Sequence, residues 1–388
     1  MISDRIKRVG VSKTLAIDSK VKMLKEQGED IINLTAGQPD FNMPNSIKKE
    51  AKKSIDNNFT RYTDVAGCLP LRKVICEKFK KENNITYAPE NIIVSCGAKH
   101  SLFNAIMATI NQGDEVLIIK PFWTSYPEMV SLARGKSVFV NSKKDFQLDI
   151  ENINKSISKK TKMIILNSPS NPAGVIYRKE DLKEIVTLAV KHNFLILSDE
   201  IYEKLIYDSK TYSIASLSKD AKERTITING VSKSHAMTGL RIGYAAGNKE
   251  LIQAMKKIQS HSTSNPTSTS QMAAIEAIKG NQKHLKKWLK EFKKRRDFVV
   301  ETLNNIKGVT CAKPEGAFYV FPNVKYLFKN GMKNSSDLSN VLLDKAKVAV
   351  VTGDAFGSKN HIRISYSSSM KNLKEGMNRI KKFVEQMK

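Results

Sequence analysis

The chain has 388 residues, of which 40% are hydrophobic and 27% charged, with a formal net charge of +27. That length exceeds what one hydrophobic core usually serves, and the balance is that of a globular protein in water, not a disordered chain. No apolar run approaches the length of a bilayer, residues 1–10 lack the apolar stretch of a secretory leader, and the four cysteines (Cys68, Cys76, Cys96 and Cys311) form no Cys-x-x-Cys pair.

No pair of histidines has the spacing of metal ligands on a helix, so neither a metal site nor a disulfide framework is expected, and the reducing cytoplasm is the expected compartment. The lysines are scattered from Lys7 to Lys388 without interleaved aromatics. Scattered charge reads as a solvated surface, so neither a nucleic acid nor a membrane is expected as partner.

Short runs rich in Ile, Val and Leu at 91–94, 115–119, 136–140, 163–166, 194–197, 225–228 and 241–246 read as buried strands. Helical patterns lie between them: 99–110 follows Gly97, and 179–192 places Leu182, Ile185, Val186 and Ala189 on one face. Such alternation predicts an α/β fold with a mostly parallel mixed sheet between helices. The pattern changes near residue 281. A charged helix over 283–296 carries Leu285, Trp288, Leu289 and Phe292 at helical spacing, short elements follow at 317–321, 349–351 and 362–365, and a helix over 370–387 closes the chain. This is a smaller α+β unit. The expected division is a segment 1–40 belonging to the small domain, a large domain 41–285 and the C-terminal part of the small domain 286–388.

Ligands of parallel sheets sit at the carboxyl ends of strands. After 91–94 comes Ser95-Cys96-Gly97-Ala98-Lys99, a helix start with glycine, which suits a phosphate but is also an ordinary way to begin a helix. After 163–166 comes the rigid loop Asn167-Ser168-Pro169-Ser170-Asn171-Pro172-Ala173-Gly174. After 194–197 comes Ser198-Asp199-Glu200-Ile201-Tyr202. A carboxylate there needs a partner, such as a protonated heterocyclic nitrogen, unless Asp199 merely caps the next helix. After 225–228, Lys233 stands in a loop rich in Gly, Ser and Thr, and Arg241 follows at the head of another apolar run, where it calls for an anion.

Taken in order, these segments resemble the class I, aspartate-type aminotransferases of the fold-type-I pyridoxal-phosphate architecture. The run from Ser232-Lys233 to Gly243 is the most specific, and Leu34-Thr35-Ala36-Gly37-Gln38-Pro39-Asp40-Phe41 and His361-Ile362-Arg363-Ile364-Ser365 support it at the two ends of the chain. The resemblance implies pyridoxal 5′-phosphate as cofactor, held as a Schiff base on Lys233, whose amine then moves the substrate's proton. It implies Asp199 at the pyridine nitrogen, Asn171 and Tyr202 at the ring's phenolic oxygen, and Trp123 stacked on the ring. It places the phosphate on the backbone of Ala98 and Lys99 with Arg241 and Ser232, and the substrate's α-carboxylate on Arg363 beside Gly37. Tyr62, Ser264 and Asn265 would reach the phosphate of a neighbouring subunit, giving a homodimer with shared active sites. Two departures stand out. Gly230 replaces a serine common in relatives, and His235 takes the place of an aromatic ring, as a packing residue.

The stretch Gly97-Ala98-Lys99-His100-Ser101-Leu102-Phe103-Asn104 resembles the prokaryotic-type aspartate-using subgroup, in which the lysine engages the substrate's second carboxylate. The expected substrates are therefore amino acids and 2-oxo acids, with aspartate to 2-oxoglutarate transfer first. The alternatives are aromatic amino acids or prephenate, and a C–S lyase reaction on the same cofactor.

Overall fold

The computed structural model describes residues 1–387. The seven runs read as strands all join one sheet: β1 Ile92–Cys96, β2 Glu115–Lys120, β3 Lys136–Asn141, β4 Thr161–Asn167, β5 Leu195–Asp199, β6 Thr225–Gly230 and β7 Ile242–Ala246. Their order across the sheet is β1-β7-β6-β5-β4-β2-β3. Only β7 runs against its neighbours, and the other pairings are parallel.

The period of two explains why both faces are covered. Val116 and Ile118 of β2, with Met163 and Ile165 of β4, enter one core, where Leu102 and Ile106 of the helix Ala98–Thr109 pack. Leu117, Ile119, Ile164 and Leu166 enter the opposite core, against Leu182, Ile185 and Ala189 of the helix Lys179–His192. Each such buried Leu, Ile, Val or Met side chain contributes about 1.5–3 kcal/mol.

A third core unites the two ends of the chain. Ile32–Asn33 lies parallel to Val348–Ala349, and Val351–Thr352, Ile362–Ser365 and Tyr319–Val320 form an antiparallel sheet. Leu34, Phe318, Val320, Ile364, Leu373 and Met377 share its interior. The charged helix extends beyond 296 as Lys283–Asn304, with Leu285, Trp288, Phe292, Val299 and Leu303 on its buried side.

Some expectations need correction. The single strand expected at 349–351 is broken at Val350, because its two halves pair with different sheets. Residue 91 closes a short 3-10 turn, Pro89–Asn91, so β1 starts one position later. Arg241 is not in β7: its φ of 56° turns it back from the strand. Several helices were not foreseen, among them Asn45–Asp56, Leu69–Asn83, Lys249–Ser260 and Ser268–Lys279. The buried side of Ser268–Lys279 consists of Ser268, Ser270, Gln271, Ala273, Ala274 and Ala277, which leaves no large apolar stripe to read. Among the described residues no helix is long and apolar enough to cross a membrane.

Candidate active site

The carboxyl ends of β1, β4, β5 and β6 open on a cavity of about 520 Å³, closed on its far side by residues 33–38, Tyr319 and Arg363. Gly37, Ala98, Lys99, Trp123, Asn171, Asp199, Tyr202, Ser232, Lys233, Arg241 and Arg363 all line it. Residues drawn from positions 37 to 363 thus meet in one space.

One wall is built for an anion. The helix Ala98–Thr109 begins immediately after Gly97, whose φ is +86°, and its first N–H groups have no partner within the helix. Arg241 is bent over this helix start, with Nη1 donating to Thr238 O at 2.7 Å and Nη2 to Cys96 O at 3.3 Å. A Cβ on Gly97 would stand 2.4 Å from Arg241 Nη2 and displace the guanidinium, and the positive φ there favours glycine in its own right. Gly243 leaves room from behind, since a Cβ there would lie 2.0 Å from Ala98 N. That neighbour is backbone and has no cheap way to yield. Gly243→Ala is therefore expected to destabilise the protein by about 3 kcal/mol or more and to splay the anion wall, measured as a lower urea midpoint together with weaker binding of inorganic phosphate.

The centre holds one amine and one buried carboxyl. Burial, the Arg241 and Arg363 guanidiniums and Lys99 together hold the Lys233 amine down at about 8, against the pull of Asp199. Lys233 Nζ donates to Gly37 O at 2.6 Å. Asp199, the last residue of β5, is 4% exposed, and burial pushes its carboxyl up to about 6. Tyr126 OH donates to its Oδ2 at 2.8 Å, and Ile201 N donates to Oδ1 at 3.3 Å. No helix follows Asp199. Its second contact is a local turn, so the capping explanation does not account for it.

The third wall binds through Arg363. Its Nη1 donates to Asn171 Oδ1 at 3.0 Å and its Nη2 to Thr35 O at 2.7 Å, while the guanidinium lies 4.4 Å from the Tyr319 ring centre. Arg363 is 3% exposed, and among the described residues no carboxylate pairs with it and its Nε has no partner. A buried guanidinium in that condition calls for an anionic ligand. The buried Asp199 carboxylate suits a cation as its partner, whereas the other two walls suit anions. Lys99 Nζ stands 4.9 Å from the Trp123 ring centre, with its own affinity for a proton lowered by burial and by Arg241. Burial pushes Tyr202 well above the usual phenol range, and its hydroxyl lies 2.9 Å from that of Tyr319.

Tyr62, Ser264 and Asn265 do not line the cavity. Tyr62 is 91% exposed, Ser264 is exposed, and Asn265 Nδ2 donates to Pro266 O at 2.8 Å. His235 is buried away from the cavity, held by Ser234 Oγ at 2.8 Å and Gln282 Oε1 at 3.0 Å, and burial pushes it down to about 3. It packs, 4.9 Å from the His284 ring. Gly230 backs onto Gly243, whose Cα would be 3.0 Å from a Cβ at position 230. Sequence reasoning assigned no role to Asp18, Asn33, Thr35, Tyr126 or Tyr319, though all but Tyr126 line the cavity. The signal for Tyr126 was its place three residues after Trp123, in the first turn of the helix Ser125–Leu132. Among the described residues no group of His, Cys, Asp or Glu is placed to hold a metal ion.

The model of the family described as aminotransferase class I and II matches residues 29–380. The chain belongs to the class I and II aminotransferases. The aspartate aminotransferase of Bacillus sp. (strain YM-2) is 45% identical to it over 99% of both chains. The probable aspartate/prephenate aminotransferase of Rickettsia prowazekii is 48% identical over 98% of both. Among solved structures, the aspartate aminotransferase of Rhizobium meliloti superposes with a TM-score of 0.96 at 41% identity, covering 99% of each chain. That of Thermus thermophilus with maleate gives 0.93 at 38%, covering 98% of this chain and 99% of the other.

The cofactor of this aminotransferase is pyridoxal 5′-phosphate. The donor set fits it. The wall at Gly97 and Arg241 would suit its phosphate, the buried Asp199 carboxyl would suit a protonated ring nitrogen, and Lys233 has an amine poised near neutrality.

Proposed function

We propose that this aminotransferase moves the amino group of aspartate to 2-oxoglutarate, with pyridoxal phosphate attached through its aldehyde carbon to Lys233. The observation that carries the reading is the single cavity in which Lys233 and Asp199 stand between two separate arginines, with a third cation, Lys99, beside Trp123. When bound, the coenzyme supplies a protonated ring that takes up the electron pair left as the substrate loses its Cα proton. Arg241, Ser232 and the backbone of Ala98 and Lys99 hold the phosphate. Asn171 and Tyr202 bond the phenolic oxygen, Asp199 keeps the ring nitrogen protonated, and Trp123 covers one ring face. Arg363 grips the substrate's α-carboxylate beside Gly37. The Lys233 amine, freed when the substrate's amino group takes its place, would take the proton from Cα and hold it for return.

Lys99 selects the second carboxylate. One charge-assisted hydrogen bond is worth about 1.5–3 kcal/mol, so Lys99→Ala is expected to cut the preference for aspartate over alanine by about ten- to a hundredfold. An unchanged ratio of kcat/KM values would dismiss aspartate specificity. The maleate in the Thermus thermophilus structure is likewise a dicarboxylate. The aspartate/prephenate names of the Rickettsia relatives favour prephenate as a second reading. A panel of amino donors against 2-oxoglutarate and prephenate decides between them, and release of ammonia and pyruvate from cystathionine would point to a C–S lyase instead.

The exposed Tyr62, with Ser264 and Asn265, supports a homodimer in which these residues complete the neighbour's phosphate site. The pairing of residues 32–33 with 348–349 supports grouping 1–40 with 286–388 as one small domain beside a large domain 41–285, and favours closure of both chain ends together. A cytoplasmic enzyme is the setting that suits these substrates.

A further inference from the structure

Tyr319 has no part in the roles described so far, yet it touches three of them. It sits on the short strand Tyr319–Val320, paired with Ile362–Ser365, so its ring lies against the Arg363 guanidinium at 4.4 Å. Its hydroxyl is 2.9 Å from that of Tyr202, and it stands 3.7 Å from where a Cβ on Gly37 would project. Both tyrosines are buried, at 0% and 4% exposure, and both line the cavity.

A phenol has one hydrogen to give and can still accept another. Two hydroxyls facing each other therefore leave the direction of their bond undecided. Under the proposed function, on which this inference rests, Tyr202 gives its hydrogen to the coenzyme's phenolic oxygen. The contact between the tyrosines then has one possible sense, with Tyr319 as donor and Tyr202 as acceptor. A donor bonded to the Tyr202 oxygen polarises its O–H and strengthens the bond that Tyr202 makes onward. We propose that Tyr319 is a positioning residue whose hydroxyl, by donating to Tyr202, orients the Tyr202 hydrogen toward the coenzyme's phenolic oxygen and strengthens that bond.

A stronger donor at that oxygen favours its anionic form. The test is a spectrophotometric pH titration of the resting, coenzyme-loaded protein without substrate. Tyr319→Phe keeps the ring beneath Arg363 and removes only the hydroxyl. It is expected to move the midpoint of the visible transition upward by about half a unit to one unit, the worth of one neutral hydrogen bond. In a Tyr202→Phe background the same change is expected to move it by less than about a fifth of a unit, because the coupling has lost its middle member. An unchanged midpoint in Tyr319→Phe, or an equal shift in both backgrounds, would overturn the role. A wild-type protein that develops no visible band with pyridoxal phosphate would overturn the proposed function itself, and the inference with it.

Discussion

Lys233→Ala is expected to lower the rate of transamination by about four orders of magnitude or more, the loss that follows when one group serves as both covalent anchor and proton carrier. Borohydride treatment of the loaded wild-type protein should leave a modified peptide at position 233, and the variant should yield none. The pH dependence of loading follows from the depressed amine. An ordinary lysine ammonium at pH 7 is almost never unprotonated, whereas one held at about 8 is a free amine about a tenth of the time. The rate of coenzyme capture by the stripped protein should therefore rise about tenfold per unit below pH 8 and level off above it. A rate still climbing toward pH 10 would show that the amine is not depressed.

Asp199→Asn should have effects of opposite sign on activity and on stability. With coenzyme bound, the carboxylate faces a protonated ring nitrogen, and removing one member of a buried pair leaves the other uncompensated at about 3–5 kcal/mol. The expected fall in kcat is about two to four orders of magnitude, with little change in KM. Without coenzyme, the buried carboxylate is a burden. Its pKa is raised from 3.8 to about 6, so the native state binds more protons than the unfolded state in that window, and stability falls as pH rises through it. The asparagine variant escapes that loss. Stripped of coenzyme, it should be more stable than wild type by about 1–3 kcal/mol above pH 6, and the difference should fade as the pH falls toward 4. Urea unfolding of both stripped proteins at pH 4.5 and 7 measures it, and a variant less stable at pH 7 would contradict the assignment.

Much of the fold was readable because the sheet strands are buried on both faces, except the edge strand β3, read as buried but largely exposed. Unbroken runs such as Val116-Leu117-Ile118-Ile119 and Met163-Ile164-Ile165-Leu166 announce themselves without help from their neighbours in space. The helix Lys179–His192 was equally plain, with one apolar face and one charged face. Ser268–Lys279 and Asn45–Asp56 were silent because their buried residues are small, polar or few. Asp199, Asn171 and Lys233 were legible because each ends or follows a buried strand in a composition that surface loops do not share.

The chain's own order of residues determined the sheet strands, the loops that end them and the chemistry each loop carries. Only the tertiary structure decided that Tyr126 would hold Asp199, that Arg241 would fold back over Gly97, and that Tyr319 would meet both Tyr202 and Arg363. The physical reason is range. Strand burial and loop composition are set by neighbours a few residues away, whereas these contacts join positions 73, 144, 117 and 44 residues apart and exist only once segments distant in the chain have paired and packed.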